Sequence, residues 1–81
     1  MWKYTVEVSG MMCGMCEAHI NDAVRKLFPV KKVVSSRSKK QTVILSETEL
    51  DTAALADAVR HTGYEVGNIQ KEPYKKKGLF G

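Results

Sequence analysis

The segment Gly10-Met11-Met12-Cys13-Gly14-Met15-Cys16 is the part of this chain around which the rest is organised. It contains both cysteines of the sequence, three positions apart. An alternating segment precedes it and a helical pattern follows it. A thiol pair at a junction between a strand and a helix can hold a soft metal ion or exchange thiols for a disulfide. No other motif in the sequence offers comparable chemistry. The function therefore depends on whether the pair binds a metal ion or exchanges thiols for a disulfide.

The two elements that flank this segment are indicated by their periodicity. Lys3–Ser9 alternates with period two, which predicts a half-buried strand with Tyr4, Val6 and Val8 on the core face. A helix is predicted to start at Gly14 or Met15 and to end at Leu27, since Pro29 prevents it from continuing. Its predicted core stripe consists of Cys16, Ile20, Ala23, Val24 and Leu27.

The rest of the chain contains four further predicted elements. Asp51 is a suitable N-cap for a second helix, Gly63 suits its C-terminal end, and Gly67 predicts a bulge in the last strand. The predicted core stripe of that helix is Leu55, Ala58, Val59 and Thr62. The predicted elements are a strand at Val30–Arg37, a central strand at Gln41–Ser46, a helix at Thr52–Thr62 and a strand at Tyr64–Ile69.

The resulting order of elements is βαββαβ. Two helices on one face of a four-stranded antiparallel sheet form a ferredoxin-like sandwich of the α+β class. With 81 residues the chain can build one small core. We expect one domain at residues 1–70 and a Lys-rich C-terminal tail at residues 71–81.

The charge distribution narrows the possible partners. The tail holds four lysines and one glutamate, so it carries +3 of the formal net charge of +4, and the body carries +1. Because the body has no clustered group of basic residues, no nucleic-acid partner is expected.

The sequence shows neither a signal peptide nor an apolar run long enough to span a membrane. We therefore expect a cytoplasmic protein, whose thiols stay reduced.

Two motifs resemble the signatures of heavy-metal-associated domains. Gly10–Cys16 is similar to the GMxCxxC motif between the first strand and first helix, and Gly63–Val66 is similar to the second signature after helix two. The similarity covers about Lys3–Ile69. That family includes small bacterial copper chaperones, N-terminal domains of copper-transporting P-type ATPases and mercury-binding proteins.

The resemblance implies a site and a partner. It implies Cu(I) held by Cys13 and Cys16, with Zn(II), Hg(II), Cd(II) and Ag(I) as other ions that such a pair can take. It also implies delivery to a metal-transporting P-type ATPase or another acceptor protein, and a monomer or a metal-bridged dimer. Activity as an enzyme is not expected.

The residues themselves support a carrier. A helix N-terminus lowers the pKa of a thiol, and soft thiolates select Cu(I) among the common cytosolic metals. A site with only two sulfurs leaves room for an incoming third thiolate, whereas a structural zinc site requires four closed ligands. Met11 is expected to pack in the core.

Five neighbouring residues can affect the sulfurs. Met12 and Met15 are predicted to form an apolar skirt and are candidates for weak thioether ligands. His19 and His61 are candidates for a third ligand, against the alternative of exposed helix residues. Tyr64 is predicted to donate a hydrogen bond to a sulfur and to limit its contact with solvent.

Two alternatives use the same thiol pair. One is a glutaredoxin-like thiol–disulfide oxidoreductase. Such a protein would have a proline inside Cys13–Cys16 and another at the start of a strand that faces the thiols. No proline lies inside Cys13–Cys16, and none lies between Val30 and Glu72. The other is a regulatory adaptor domain that senses metal, which shares every residue of a carrier.

Overall fold

In the computed structural model, which describes residues 1–12 and 14–74, the strands and helices follow one another in the predicted order. The elements of the described residues are β1 Trp2–Ser9, α1 Gly14–Leu27, β2 Lys32–Ser36, β3 Gln41–Ser46, α2 Thr52–Arg60 and β4 Glu65–Pro73. The predicted bounds of α1 and β3 agree with the structure, and β1 begins one residue earlier than predicted.

The strands form one antiparallel sheet in the order β2-β3-β1-β4. β1 and β3 are central, as predicted for β3, and β2 lies at an edge beside its exposed lysines. Both helices cover one face of this sheet, since every second residue of β1 is buried against them. This arrangement confirms the ferredoxin-like α+β sandwich. The core consists of Tyr4, Val6, Val8, Ile20, Val24, Val33, Ile44, Leu55 and Val59.

Several predicted bounds were wrong. β2 ends at Ser36 instead of Arg37, and β4 starts at Glu65 instead of Tyr64. β2 starts at Lys32 instead of Val30, since the Val30 N–H donates to the Phe28 carbonyl at 2.9 Å. α2 ends at Arg60 instead of Thr62, because the Thr62 and Gly63 N–H groups bond three residues back, to Val59 and Arg60. Gly63 then takes a φ of 100°, which suits a residue without a side chain.

Leu27 is not part of the core stripe of α1, contrary to prediction. Its side chain is 64% exposed, whereas Ile20 and Val24 are completely buried. Phe28, the residue after the helix, packs against the core in its place. The predicted length of α1 is therefore right, but its buried stripe ends at Val24, about one turn before the helix does.

β4 continues four residues beyond the predicted end at Ile69. Lys3 pairs with Glu72 and Trp2 with Pro73. The Lys71 ammonium pairs with Glu49 and lies 4.5 Å from the centroid of the Trp2 ring. The hydrogen bond to Glu49 raises the pKa of Lys71. Lys71 and Glu72 therefore belong to the sheet. The predicted domain boundary at residue 70 stays a prediction. Residues 75–81 of the predicted tail lie outside the described residues.

The bulge predicted at Gly67 is confirmed. Val6 pairs with Ile69 and Val8 with Val66, so Gly67 and Asn68 together face the single residue Glu7. The Glu7 carboxylate accepts a hydrogen bond from the Asn68 N–H at 3.2 Å and lies over Gly67, where a Cβ would overlap it.

Replacing Gly67 by Ala should destabilise the domain through Glu7. The added methyl displaces the carboxylate and removes its bond to Asn68, so we expect the free energy of unfolding to fall by about 0.5–1.5 kcal/mol. Urea denaturation measures this. In a Glu7→Ala background the same change should cost clearly less, because the clash is gone. Equal costs in both backgrounds would contradict this account of the bulge.

Tyr4 connects the core of the sheet to the start of α2. Its side chain is completely buried, and its hydroxyl accepts from the Leu50 N–H at 2.6 Å and donates to the Leu50 carbonyl at 3.3 Å. Leu50 directly precedes Asp51, which caps α2 as predicted by accepting from the Ala53 N–H at 3.0 Å. The tyrosine hydroxyl thus serves as hydrogen-bond partner for both backbone groups of Leu50 in the loop before α2.

Tyr4→Phe should leave the Leu50 N–H without its acceptor. We expect a loss of about 0.5–1.5 kcal/mol in the free energy of unfolding, the net contribution of a hydrogen bond that is only part-buried. Tyr74→Phe, at an exposed position, is the matched control and should change the urea midpoint by much less. A Tyr4→Phe protein as stable as this control would refute the role of the hydroxyl.

Candidate metal site

The cysteine-bearing segment lies at one end of the fold, where several turns meet. β1 ends here beside the start of β4, since Ser9 pairs with Glu65. The turn at residues 37–40 reaches the same end, because the Lys40 carbonyl accepts from the Val8 N–H at 2.9 Å. The turn after α2 leads directly into β4. The loop before α1 is therefore surrounded by the turns before β3 and before β4.

The first residues of the loop are anchored. Gly10 has a φ of 101°, and a Cβ there would lie 3.4 Å from Cδ1 of Tyr64, so glycine permits both the turn and the close aromatic ring. Met11 packs against the core, as predicted. The chain thus enters the segment with the thiols from a fixed position.

Cys16 lies in the first turn of α1 and is half-buried. The N–H groups at the start of a helix favour an anionic sulfur. Cys13 lies outside the described residues, so the predicted pairing of the two sulfurs around one ion stays a prediction. Among residues 1–12 and 14–74, no cluster of three or more His, Cys, Asp or Glu side chains is arranged to hold a metal.

Two methionines beside Cys16 are on the surface. Met12 is 83% exposed and Met15 is 81% exposed. Their exposure gives this end of the fold an apolar surface, while their predicted place beside both sulfurs and their role as thioether ligands stay predictions. Large apolar side chains with this exposure next to a candidate site are suited to contact with another molecule.

The two histidines lie on the surface between the helices. His19 and His61 are both exposed, and both line the groove between α1 and α2. The structure thus brings them to one surface. Tyr64, in contrast, is half-buried and lies against the loop at Gly10. Its predicted hydrogen bond to a sulfur stays a prediction, as does metal ligation by either histidine.

Sequence reasoning missed a contact between Glu17, in the first turn of α1, and Arg37, in the turn after β2. The Glu17 carboxylate accepts from the Arg37 N–H at 2.7 Å, which joins the first turn of α1 to the β2–β3 turn. Arg37 Nη1 lies 3.6 Å from the position of a Cβ on Gly14. From the sequence, Arg37 is only the predicted last residue of a strand. The available signal was the fold itself, because the βαββαβ order returns the end of β2 to the loop before α1.

A buried polar chain also fixes α1 on the sheet. Ser35 Oγ donates to Asn21 Oδ1 at 2.7 Å and bonds Thr42 Oγ1 at 2.8 Å. These residues belong to β2, α1 and β3. Alternation of apolar residues could not reveal this contact, because it depends on hydroxyls that face the core.

Over the part of the chain that the structure describes, no helix is long and apolar enough to cross a membrane.

Several characterised proteins are similar in sequence. The chain is 33% identical over 64 residues to the copper chaperone CopZ of Enterococcus hirae, covering 78% of this chain and 93% of that protein. It is 35% identical over 63 residues to a copper-exporting P-type ATPase of Mycobacterium tuberculosis, covering 78% of this chain but 8% of the ATPase. It is 28% identical over 71 residues to a mercuric reductase of Lysinibacillus sphaericus, covering 88% of this chain and 13% of the reductase.

Solved structures share the fold. A copper binding domain from HMA7, a P-type ATPase, superposes with a TM-score of 0.79 at 19% identity, covering 89% of this chain and 99% of that one. The CopZ metallochaperone superposes with a TM-score of 0.73 at 21% identity, covering 80% and 98%. At these identities the superpositions show the common fold.

Family membership follows from the extent of the sequence match. The heavy-metal-associated domain family matches residues 5–65, which include the loop at Gly10–Cys16, both helices and the turn at Gly63. The described elements in this range have the order and pairing of the structural neighbours. The chain therefore belongs to the heavy-metal-associated domain family.

Proposed function

We propose that this domain binds one Cu(I) ion through Cys13 and Cys16 and transfers it to an acceptor protein by thiolate exchange. The observation that carries the proposal is the position of Cys16 in the first turn of α1, at an end of the fold with exposed methionines, in a chain of this family. The acceptor that best fits is a copper-transporting P-type ATPase. The domain acts as a carrier in the cytoplasm and not as an enzyme.

The chemistry of thiolates supports Cu(I) as the cargo. Soft sulfur ligands favour Cu(I), and Ag(I), Hg(II), Cd(II) and Zn(II) are competitors for the same pair. Two protein sulfurs leave the ion open to a third. An acceptor thiol loses its proton and binds the ion, and one sulfur of this domain then departs and takes up a proton. The ion remains bound throughout the exchange.

Surface composition near Cys16 supports contact with a partner. Met12 and Met15 are exposed at more than four-fifths of their surface, and burying them against an acceptor would gain apolar burial at the transfer site. Tyr64 stands against the loop at Gly10 on the other side, where it would limit solvent at the sulfurs. Two copies that each contribute a thiol pair could share one ion, so the monomer can pass through a metal-bridged dimer.

Of the alternatives, disulfide exchange has less support. β2 and β3 are consecutive antiparallel neighbours, whereas a thioredoxin-like domain would continue with a helix between parallel strands. A metal-sensing adaptor has the same site and fold as a carrier, and no feature of the described residues favours it.

The thiol pair should account for tight copper binding. Reduced protein should bind one equivalent of Cu(I) in competition with a copper chelator, and Cys13→Ser and Cys16→Ser should each abolish tight binding. Met12→Leu, which keeps the apolar bulk but removes the thioether, is the control and should retain the one-to-one stoichiometry. Native affinity in the double Ser variant would refute the site.

Folding should not require the metal. The core around Tyr4, Ile20 and Leu55 is completely buried without any contribution from an ion, unlike the interior of a zinc finger. We expect the reduced metal-free protein to give a dispersed amide NMR spectrum, with copper shifting mainly the signals of residues at the cysteine-bearing end. A collapsed spectrum that disperses only when copper is added would contradict this expectation.

A further inference from the structure

A fixed positive charge lies at the start of α1. The Arg37 guanidinium stands over Gly14, with Nη1 3.6 Å from the Cβ position. Gly14 follows Cys13 in the sequence and is the first residue of α1, in the same first turn as Cys16. No described carboxylate forms an ion pair with this guanidinium, since the described ion pairs involve other cations. Its charge is therefore available to whatever is bound at this end of α1.

The other charged groups nearby are one carboxylate and two lysines. The Glu17 carboxylate accepts from the Arg37 N–H and holds the turn in place, and its negative charge offsets part of the field of the guanidinium for every bound ion alike. The contribution of Arg37 is therefore measured as the difference that its own charge makes. Lys39 and Lys40 lie on a separate cleft, which they share with Thr5, Glu7 and Gln41 on the sheet face opposite the helices. Among the cations of the β2–β3 turn, Arg37 is thus the one that the structure places against α1.

The candidate cargo ions differ in the charge of their complexes. Cu(I) or Ag(I) with two thiolates carries a net charge of −1, whereas Hg(II) with two thiolates is neutral. The affinities for all of these ions are measured against the same metal-free protein, so the protonation of its thiols cancels when two ions are compared. What remains is the difference of one unit of charge between the two complexes. A nearby positive charge therefore stabilises the monovalent complex relative to the divalent one.

We propose that Arg37 is a specificity-determining residue that makes the thiol pair prefer monovalent Cu(I) and Ag(I) over divalent Hg(II). This inference rests on the proposed function, because it assigns the ion to the thiol pair. It also explains why the β2–β3 turn is tied to α1: the bond from the Arg37 N–H to Glu17 positions the guanidinium beside Gly14.

The test compares affinities for three ions in four reduced proteins: wild type, Arg37→Gln, Arg37→Lys and Lys39→Gln. Each affinity is measured by competition with a chelator for Cu(I), Ag(I) or Hg(II). Arg37→Gln keeps the backbone N–H that Glu17 accepts, so the variant should fold like wild type. Lys39→Gln removes the same charge from the same turn, but on the other side of the sheet.

We expect Arg37→Gln to lower the ratio of Cu(I) to Hg(II) affinity by about threefold to fivefold, the range of an exposed ionic contact. The ratio of Ag(I) to Hg(II) affinity should fall equally. Arg37→Lys should restore most of both ratios, and Lys39→Gln should leave them unchanged. Raising the ionic strength should narrow the difference between wild type and Arg37→Gln, because salt screens exposed charges.

Two results would overturn the inference. One is an equal change in all three affinities, which would assign Arg37 a purely structural role. The other is the same change in Lys39→Gln, which would make the effect a matter of total charge. Failure of the proposed function gives a different result, since wild-type protein would then bind no Cu(I) through its cysteines at all.

Discussion

The position of β1 in the sheet is the constraint on which the rest of the site depends. β1 is bonded to β3 on one side and to β4 on the other, and its alternate residues Tyr4, Val6 and Val8 are completely buried. A strand fixed on both edges and on one face cannot shift its register without exposing that face. The loop that begins at Gly10 therefore leaves the sheet at a defined point, and α1 starts only a few residues later.

Anchoring and exposure are separated within this loop. Met11 packs against the core and Gly10 accommodates the Tyr64 ring, so the near side of the loop is held by ordinary packing. Glu17 holds the far side by its bond to the β2–β3 turn. Met12 and Met15 lie between these anchors on the surface. An exchange site needs both properties, because its ligands must keep their geometry while another protein approaches them.

The success of sequence reasoning depended on whether a pattern was local. The alternation of β1, the cap at Asp51 and the bulge at Gly67 are written into adjacent residues, and the structure confirms all three. The errors had two sources. The end of β4 depends on pairing with Trp2 and Lys3, which are distant in sequence. The start of β2 and the end of α2 depend on local turns, and the exposure of Leu27 depends on its neighbour Phe28, which packs against the core instead.

The position of Arg37 is the clearest case of a residue that local patterns cannot place. As part of a sequence it is one more cation near a polar turn, and many such cations are solvated. Only the pairing of β2 with β3 and the bond to Glu17 bring it to the start of α1. The candidate ligands are proposed from their spacing in the sequence, whereas only the tertiary structure places the Arg37 charge at the start of α1.

The way the domain is stabilised also bears on how an ion can leave it. In a zinc finger the free energy of metal binding is the free energy of folding, so release of the metal unfolds the protein. Among the described residues, the buried core, the Tyr4 hydroxyl and the Ser35–Thr42 contact do not include Cys16. Loss of an ion from Cys16 would therefore remove none of these contacts. In the proposed transfer, the outcome then depends mainly on the difference between two sets of metal–sulfur bonds, and small electrostatic preferences such as that proposed for Arg37 can influence it.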